Sequence, residues 1–114
     1  MIALQLYIRN KSFQAIKAKY QVNYNTITFL CSVYLYYMHV NKSFTMTAIY
    51  LFCGYYNIRN VKKFINRLIE LNIMALVGTK KYTLTDTGLN VIKEIEDNYN
   101  TVVYNFCSLH NIDL

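Results

Sequence analysis

The chain has 114 residues, of which 54% are apolar and 12 are tyrosine, with no proline and three glycines. That length fits one domain able to bury a core, and the scarcity of breakers argues for long helices against an all-β fold. Charge is lopsided: residues 1–69 hold nine basic side chains and no acid, residues 70–114 hold three basic and six acidic ones, an asymmetry that fits an anionic partner meeting one side.

The first segment, 3–20, shows two periods. Ile2, Leu4, Leu6 and Ile8 alternate as in a strand, whereas Leu6, Phe13, Ile16 and Tyr20 mark a longer helical stripe; the longer pattern favours helix. Asn25 is placed to cap a second helix over 25–39. Its Ile27, Leu30, Cys31, Tyr34, Leu35 and Met38 recur at spacings of three and one, giving one broad apolar face. With no charge between Gln21 and Asn41, this helix is expected at the centre of the domain. Its strongly apolar run of about 12 residues is short of the roughly 20 that a membrane span needs.

A helix-turn-helix is expected over 45–71. Thr45 caps a short helix and Gly54 supplies the left-handed residue that ends it. Asn57 caps the next helix, running to about Leu71. At 100° per residue, Val61, Phe64, Ile65 and Leu68 fall on one side. Arg59, Lys63, Asn66 and Glu70 fall on the other, with Lys62 and Arg67 on the flanks and Asn60 at the edge. The runs "MALV" and "YTLT", separated by residues 78–81, read as a hairpin over 74–85, with Gly78 giving the turn its freedom and Lys80 and Lys81 at the tip. Thr85 caps a final helix over 86–110, with Asp86 at its positive end. Ile92, Ile95, Tyr99, Val102, Phe106 and Leu109 form a seam of alternating threes and fours that suits helix pairing.

The order of these elements is that of a winged helix-turn-helix. "TMTAIYLFCGYYNIRNVKKFINRLIELNIM" resembles the helix-turn-helix of the MarR-type transcriptional regulators. "YTLTDTGLNVIKEI", above all its "LTDTG", is similar to their wing strand and following helix. The resemblance covers roughly residues 9–100. It implies a single winged-helix domain across 1–114, mostly α with a β-hairpin wing. It also implies a homodimer built from the first and last helices, for which Phe13, Ile16, Tyr99, Val102, Phe106 and Leu109 are the candidate residues. The short helix "TMTAIYLFCG" departs from the family in carrying no charge.

The residues give independent grounds for DNA. An α-helix fits the major groove, arginine bonds guanine and asparagine bonds adenine with two hydrogen bonds each. Arg59, Asn60, Lys63 and Asn66 are therefore candidates for base edges. Lys62 and Arg67 are candidates for phosphates, and Lys80 and Lys81 for an adjacent phosphate or the minor groove. The expected function is sequence-specific binding of double-stranded DNA by a transcriptional regulator. The alternative is a winged-helix module, an assembly factor or phage-type inhibitor, that binds a partner protein; the uncharged short helix favours it.

Catalysis is not expected: the six acids are scattered with no close pair that recommends itself on one face, and no glycine-rich phosphate loop or HExxH occurs. Cys31, Cys53 and Cys107 are far apart without a CxxC, so no metal or other cofactor is expected and all three read as buried thiols. With no signal-peptide pattern the expected location is cytoplasmic. Abundant Asn, Ile, Lys and Tyr, whose codons are AT-rich, hint at a bacterial or phage genome.

Overall fold

A computed structural model describes residues 2–111. In chain order it runs α1 (Ile2–Tyr20), α2 (Tyr24–His39), α3 (Met46–Cys53), α4 (Ile58–Glu70), β1 (Met74–Gly78), β2 (Lys81–Leu84) and α5 (Asp86–His110). The fold is mostly α, with one two-stranded antiparallel hairpin between α4 and α5. The helical choice for the first segment holds. Residues 112–114, the end of the expected aromatic C-terminal stretch, lie outside the described residues. No described helix is long and apolar enough to cross a membrane.

The chain forms two compact units, one of residues up to 27 with those from 93 on, the other of 28–92. In the first, α1 and the C-terminal part of α5 run antiparallel. Tyr7 stacks on Phe106 with ring centroids 5.4 Å apart. At the other end of α1, Glu94 accepts hydrogen bonds from Lys19 (3.0 Å) and Tyr20 (2.8 Å). Burial works to raise the Glu94 pKa, but the bonds from Tyr20 and Lys19 outweigh it and hold the carboxyl below its usual range. Ile8, Phe13, Ile16 and Ile95 are buried along this pair. Phe13 and the Arg9 guanidinium both lie against the Tyr24 ring, each 5.4 Å away.

The start of α2 corrects one expectation. The cap is Asn23, not Asn25: the Asn23 side-chain oxygen accepts from the Thr26 amide at 2.8 Å and from the Thr26 hydroxyl at 2.9 Å. The helix therefore begins earlier, and buried Thr26 is satisfied. The inward face of α2 differs too. Ile27, Phe29, Leu30 and Val33 are buried, while Leu35 and Met38 are each 51% exposed. The broad apolar stripe seen in the sequence is wider than the face that packs.

The second unit is organised round α4. Val61, Phe64, Ile65 and Leu68 are its buried residues, the four expected. Phe64 packs on Phe29 of α2 at 5.0 Å and on Tyr56, in the turn before α4, at 4.9 Å. Aromatic pairs of this kind add stability beyond their buried area, and these bind the middle of α4 to α2 and to the turn before α4.

Candidate nucleic-acid interface

The local chemistry that fixes α3 and α4 is plain. The Thr45 hydroxyl accepts from the Ala48 amide at 3.1 Å, and the Asn57 side chain accepts from the Asn60 amide at 2.8 Å. Each satisfies a helix-start amide that would otherwise lack a partner. Gly54, at φ 76°, closes α3 with its amide on the Tyr50 carbonyl. Both caps and this C-cap are those expected from the sequence.

The hairpin is tied to the helices at its base and to the stretch before α3 part-way along β2. At its base, the Ile73 amide bonds the Leu68 carbonyl (2.9 Å) and the Thr85 amide bonds the Ile73 carbonyl (3.0 Å). The Thr85 hydroxyl accepts from the Gly88 amide at 3.0 Å and donates to the Asn72 carbonyl at 2.5 Å. So Thr85 caps α5 and also links it to the chain leaving α4. The lack of a side chain at Gly88 permits this close approach, because a Cβ there would overlap the Ile73 carbonyl. The "LTDTG" stretch thus joins hairpin, α4 and α5. On β2, Tyr82 exchanges two backbone bonds with Phe44, which precedes α3 (3.0 and 2.8 Å). The Thr83 hydroxyl donates to the Lys42 carbonyl at 2.6 Å. This bridge was not foreseen.

The turn differs in detail from expectation. Met74, Ala75 and Leu76 pair with Leu84, Thr83 and Tyr82, and then an irregularity brings Gly78 opposite Lys81. The left-handed turn residue is Lys80, at φ 58°. A two-residue turn of Thr79 and Lys80 places the lysine where the chain reverses.

Of the candidate DNA-contacting residues, Arg59, Lys62, Lys63, Asn66, Lys80 and Lys81 are exposed, and Asn60 and Arg67 are half-buried. Arg67 pairs with Glu70 at 3.1 Å. Among the described residues no acidic side chain within 4 Å neutralises Arg59, Lys62, Lys63, Lys80 or Lys81. All eight belong to the second unit. Ile58 and Ile69, 48% and 37% exposed, border the Lys62 side of α4 and were not foreseen.

The residues expected at a dimer contact divide. Phe13 and Ile16 are 3% and 1% exposed in the single chain, so their side chains are already packed. Tyr99, Val102 and Phe106 are half-buried, and Leu109 is 79% exposed. Only Cys53 of the three cysteines is buried; Cys31 and Cys107 are partly exposed, against the expectation of three buried thiols. Burial pushes the Cys53 thiol pKa up, with Ser32 opposing through a hydrogen bond. Among the described residues no three His, Cys, Asp or Glu side chains cluster as metal ligands would.

No protein-family model, curated protein or solved structure matches this chain.

Proposed function

We propose that the chain is a winged helix-turn-helix protein of the MarR-like kind that binds double-stranded DNA sequence-specifically and regulates transcription. In this reading α3 and α4 are the helix-turn-helix, α4 enters the major groove and the hairpin is the wing. One observation carries it. The helix whose inner side is locked by Val61, Phe64, Ile65 and Leu68 presents Arg59, Lys62, Lys63 and Asn66 to solvent. The same helix is hydrogen-bonded at its end to a hairpin tipped by Lys80 and Lys81.

Each residue has a role in this account. Arg59, Asn60, Lys63 and Asn66 reach base edges. Lys62, and Arg67 on leaving Glu70, meet phosphates; Lys80 and Lys81 meet an adjacent phosphate or the minor groove. The chain works in the cytoplasm as a binding protein, with neither catalysis nor a cofactor. A homodimer formed by α1 and α5 reads two half-sites about one helical turn apart. Exposed Ile2, Tyr104 and Leu109, at 74%, 72% and 79%, support that pairing by giving these helices apolar surface to cover.

Selection of bound duplexes from a random DNA pool tests the reading. A recurring motif is expected, arranged as two related halves, and Arg59→Ala should change the base preferred at one position in each half. A pool that shows no enrichment after repeated rounds contradicts it.

A further inference from the structure

The hairpin that carries Lys80 and Lys81 has little of its own to hold it in place. Two strands alone are marginal in water, and a third strand or a packed face is what steadies them. At the base Met74 and Leu84 are buried, but Leu76 and Val77 further out are 59% and 52% exposed. Every residue from 76 to 81 faces solvent. Lys80 also holds φ 58°, a conformation that residues with a side chain disfavour. The steadying contact comes from the 40–44 segment, which is itself fixed to the end of α2. The Val40 and Asn41 amides donate to the Tyr36 carbonyl at 2.8 and 3.1 Å. The Ser43 amide donates to the Asn41 side-chain oxygen at 3.1 Å, and buried Phe44 meets the Tyr36 ring edge-on at 5.8 Å.

Two kinds of bond join this segment to β2. The backbone exchange between Phe44 and Tyr82 would form with almost any residue at those positions. The bond from the Thr83 hydroxyl to the Lys42 carbonyl, at 2.6 Å, needs a hydroxyl at position 83. Thr83 stands two residues from Lys81, about 7 Å along a strand and on the same face of it, so this bond clamps β2 shortly before the tip. A hairpin free to hinge must be ordered when it binds and loses affinity by that cost, whereas one already set does not. We propose that Thr83 is a positioning residue. Its bond to the Lys42 carbonyl fixes the direction in which Lys80 and Lys81 project, and so adds to their hold on a nucleic-acid phosphate without Thr83 meeting that phosphate. The proposal rests on the DNA reading of α4 and the hairpin, and names the side chain on which the hairpin's share of the affinity depends.

The test compares Thr83→Val, which keeps the branched shape and removes the hydroxyl, with Thr83→Ser, which keeps the hydroxyl. In the free full-length chain, hydrogen exchange at the Tyr82 amide should quicken about fivefold in the valine variant, the factor that one hydrogen bond is worth. Exchange at the Ile65 and Leu68 amides of α4 should not change, which shows that the variant is folded. Binding to a random-sequence duplex at low salt should weaken about fivefold with valine and return with serine. In a Lys80→Ala/Lys81→Ala background the valine should have no effect on binding, because nothing is left for Thr83 to position. A direct contact, or a loss of stability alone, would instead lower affinity by the same factor in both backgrounds. Equal losses in the two backgrounds, unchanged exchange at Tyr82, or valine binding as tightly as threonine would each overturn the proposal and leave the DNA reading standing. An unaltered chain that binds no duplex would contradict the DNA reading, and this proposal with it.

Discussion

Helices α3 and α4 adjoin in sequence, are N-capped in the same way and pack in the same unit, yet their outer faces differ. α3 buries Ile49 and Cys53, leaves Leu51 largely and Phe52 partly exposed, and carries no charge anywhere along it. α4 buries four apolar residues and covers most of the rest with Arg, Lys and Asn. The core explains the inner side of both. It explains neither outer side, because a helix needs polar groups outside but not a run of cations, and gains nothing in solvent from leucine and phenylalanine. The outer faces are therefore where the function of each helix is to be sought.

The comparison can be broken from the inside first. Ile65→Ala on α4 removes a wholly buried side chain and should cost about 3 kcal/mol in urea unfolding, whereas Leu51→Ser on α3 should stay within about 0.5 kcal/mol. A large loss from the serine would mean that Leu51 packs. Next in size is Gly88→Ala. It forces a methyl group onto the Ile73 carbonyl and should cost about 2 kcal/mol, read as a lowered Tm. Among the substitutions expected to destabilise, the caps come last. Thr45→Ala and Asn57→Ala should each cost about 1 kcal/mol; equal values sharpen the comparison by showing that α3 and α4 start alike and differ only in what they expose.

Much of this fold is legible in the residues, for reasons that vary along the chain. Thr45, Asn57 and Thr85 stand just before apolar-periodic runs, and each caps the helix expected of it. The two faces of α4 follow from its period alone. Asn23 was missed as a cap because Asn25 is an equally good residue type; the choice rests on Thr26, which bonds back to Asn23 through both amide and hydroxyl. The Phe44–Tyr82 bridge leaves no periodic trace, being a single residue pair between distant segments. Lys80 holds the left-handed turn position, while Gly78, the residue type suited to it, pairs with Lys81 at the end of the ladder. The exposure of Leu35 and Met38 was hidden for a different reason. Hydrophobic spacing reports which side of a helix is apolar, and α2 is apolar over more of its circumference than its neighbours cover. At the candidate site the residue types and their shared helix face were readable. The hydrogen bonds that fasten the hairpin to α4 and to the stretch before α3 were not, since they run between distant segments and mostly end on backbone atoms that every residue has.

The most direct measurement is a salt titration of binding to duplex DNA. Affinity should fall steeply with salt, with a log–log slope of about −0.9 for each phosphate contacted. Lys80→Ala and Lys81→Ala should each make the slope shallower by about 1, while Leu51→Ser leaves it unchanged. Absent binding, a flat salt response, or slopes indifferent to both lysines would contradict the account.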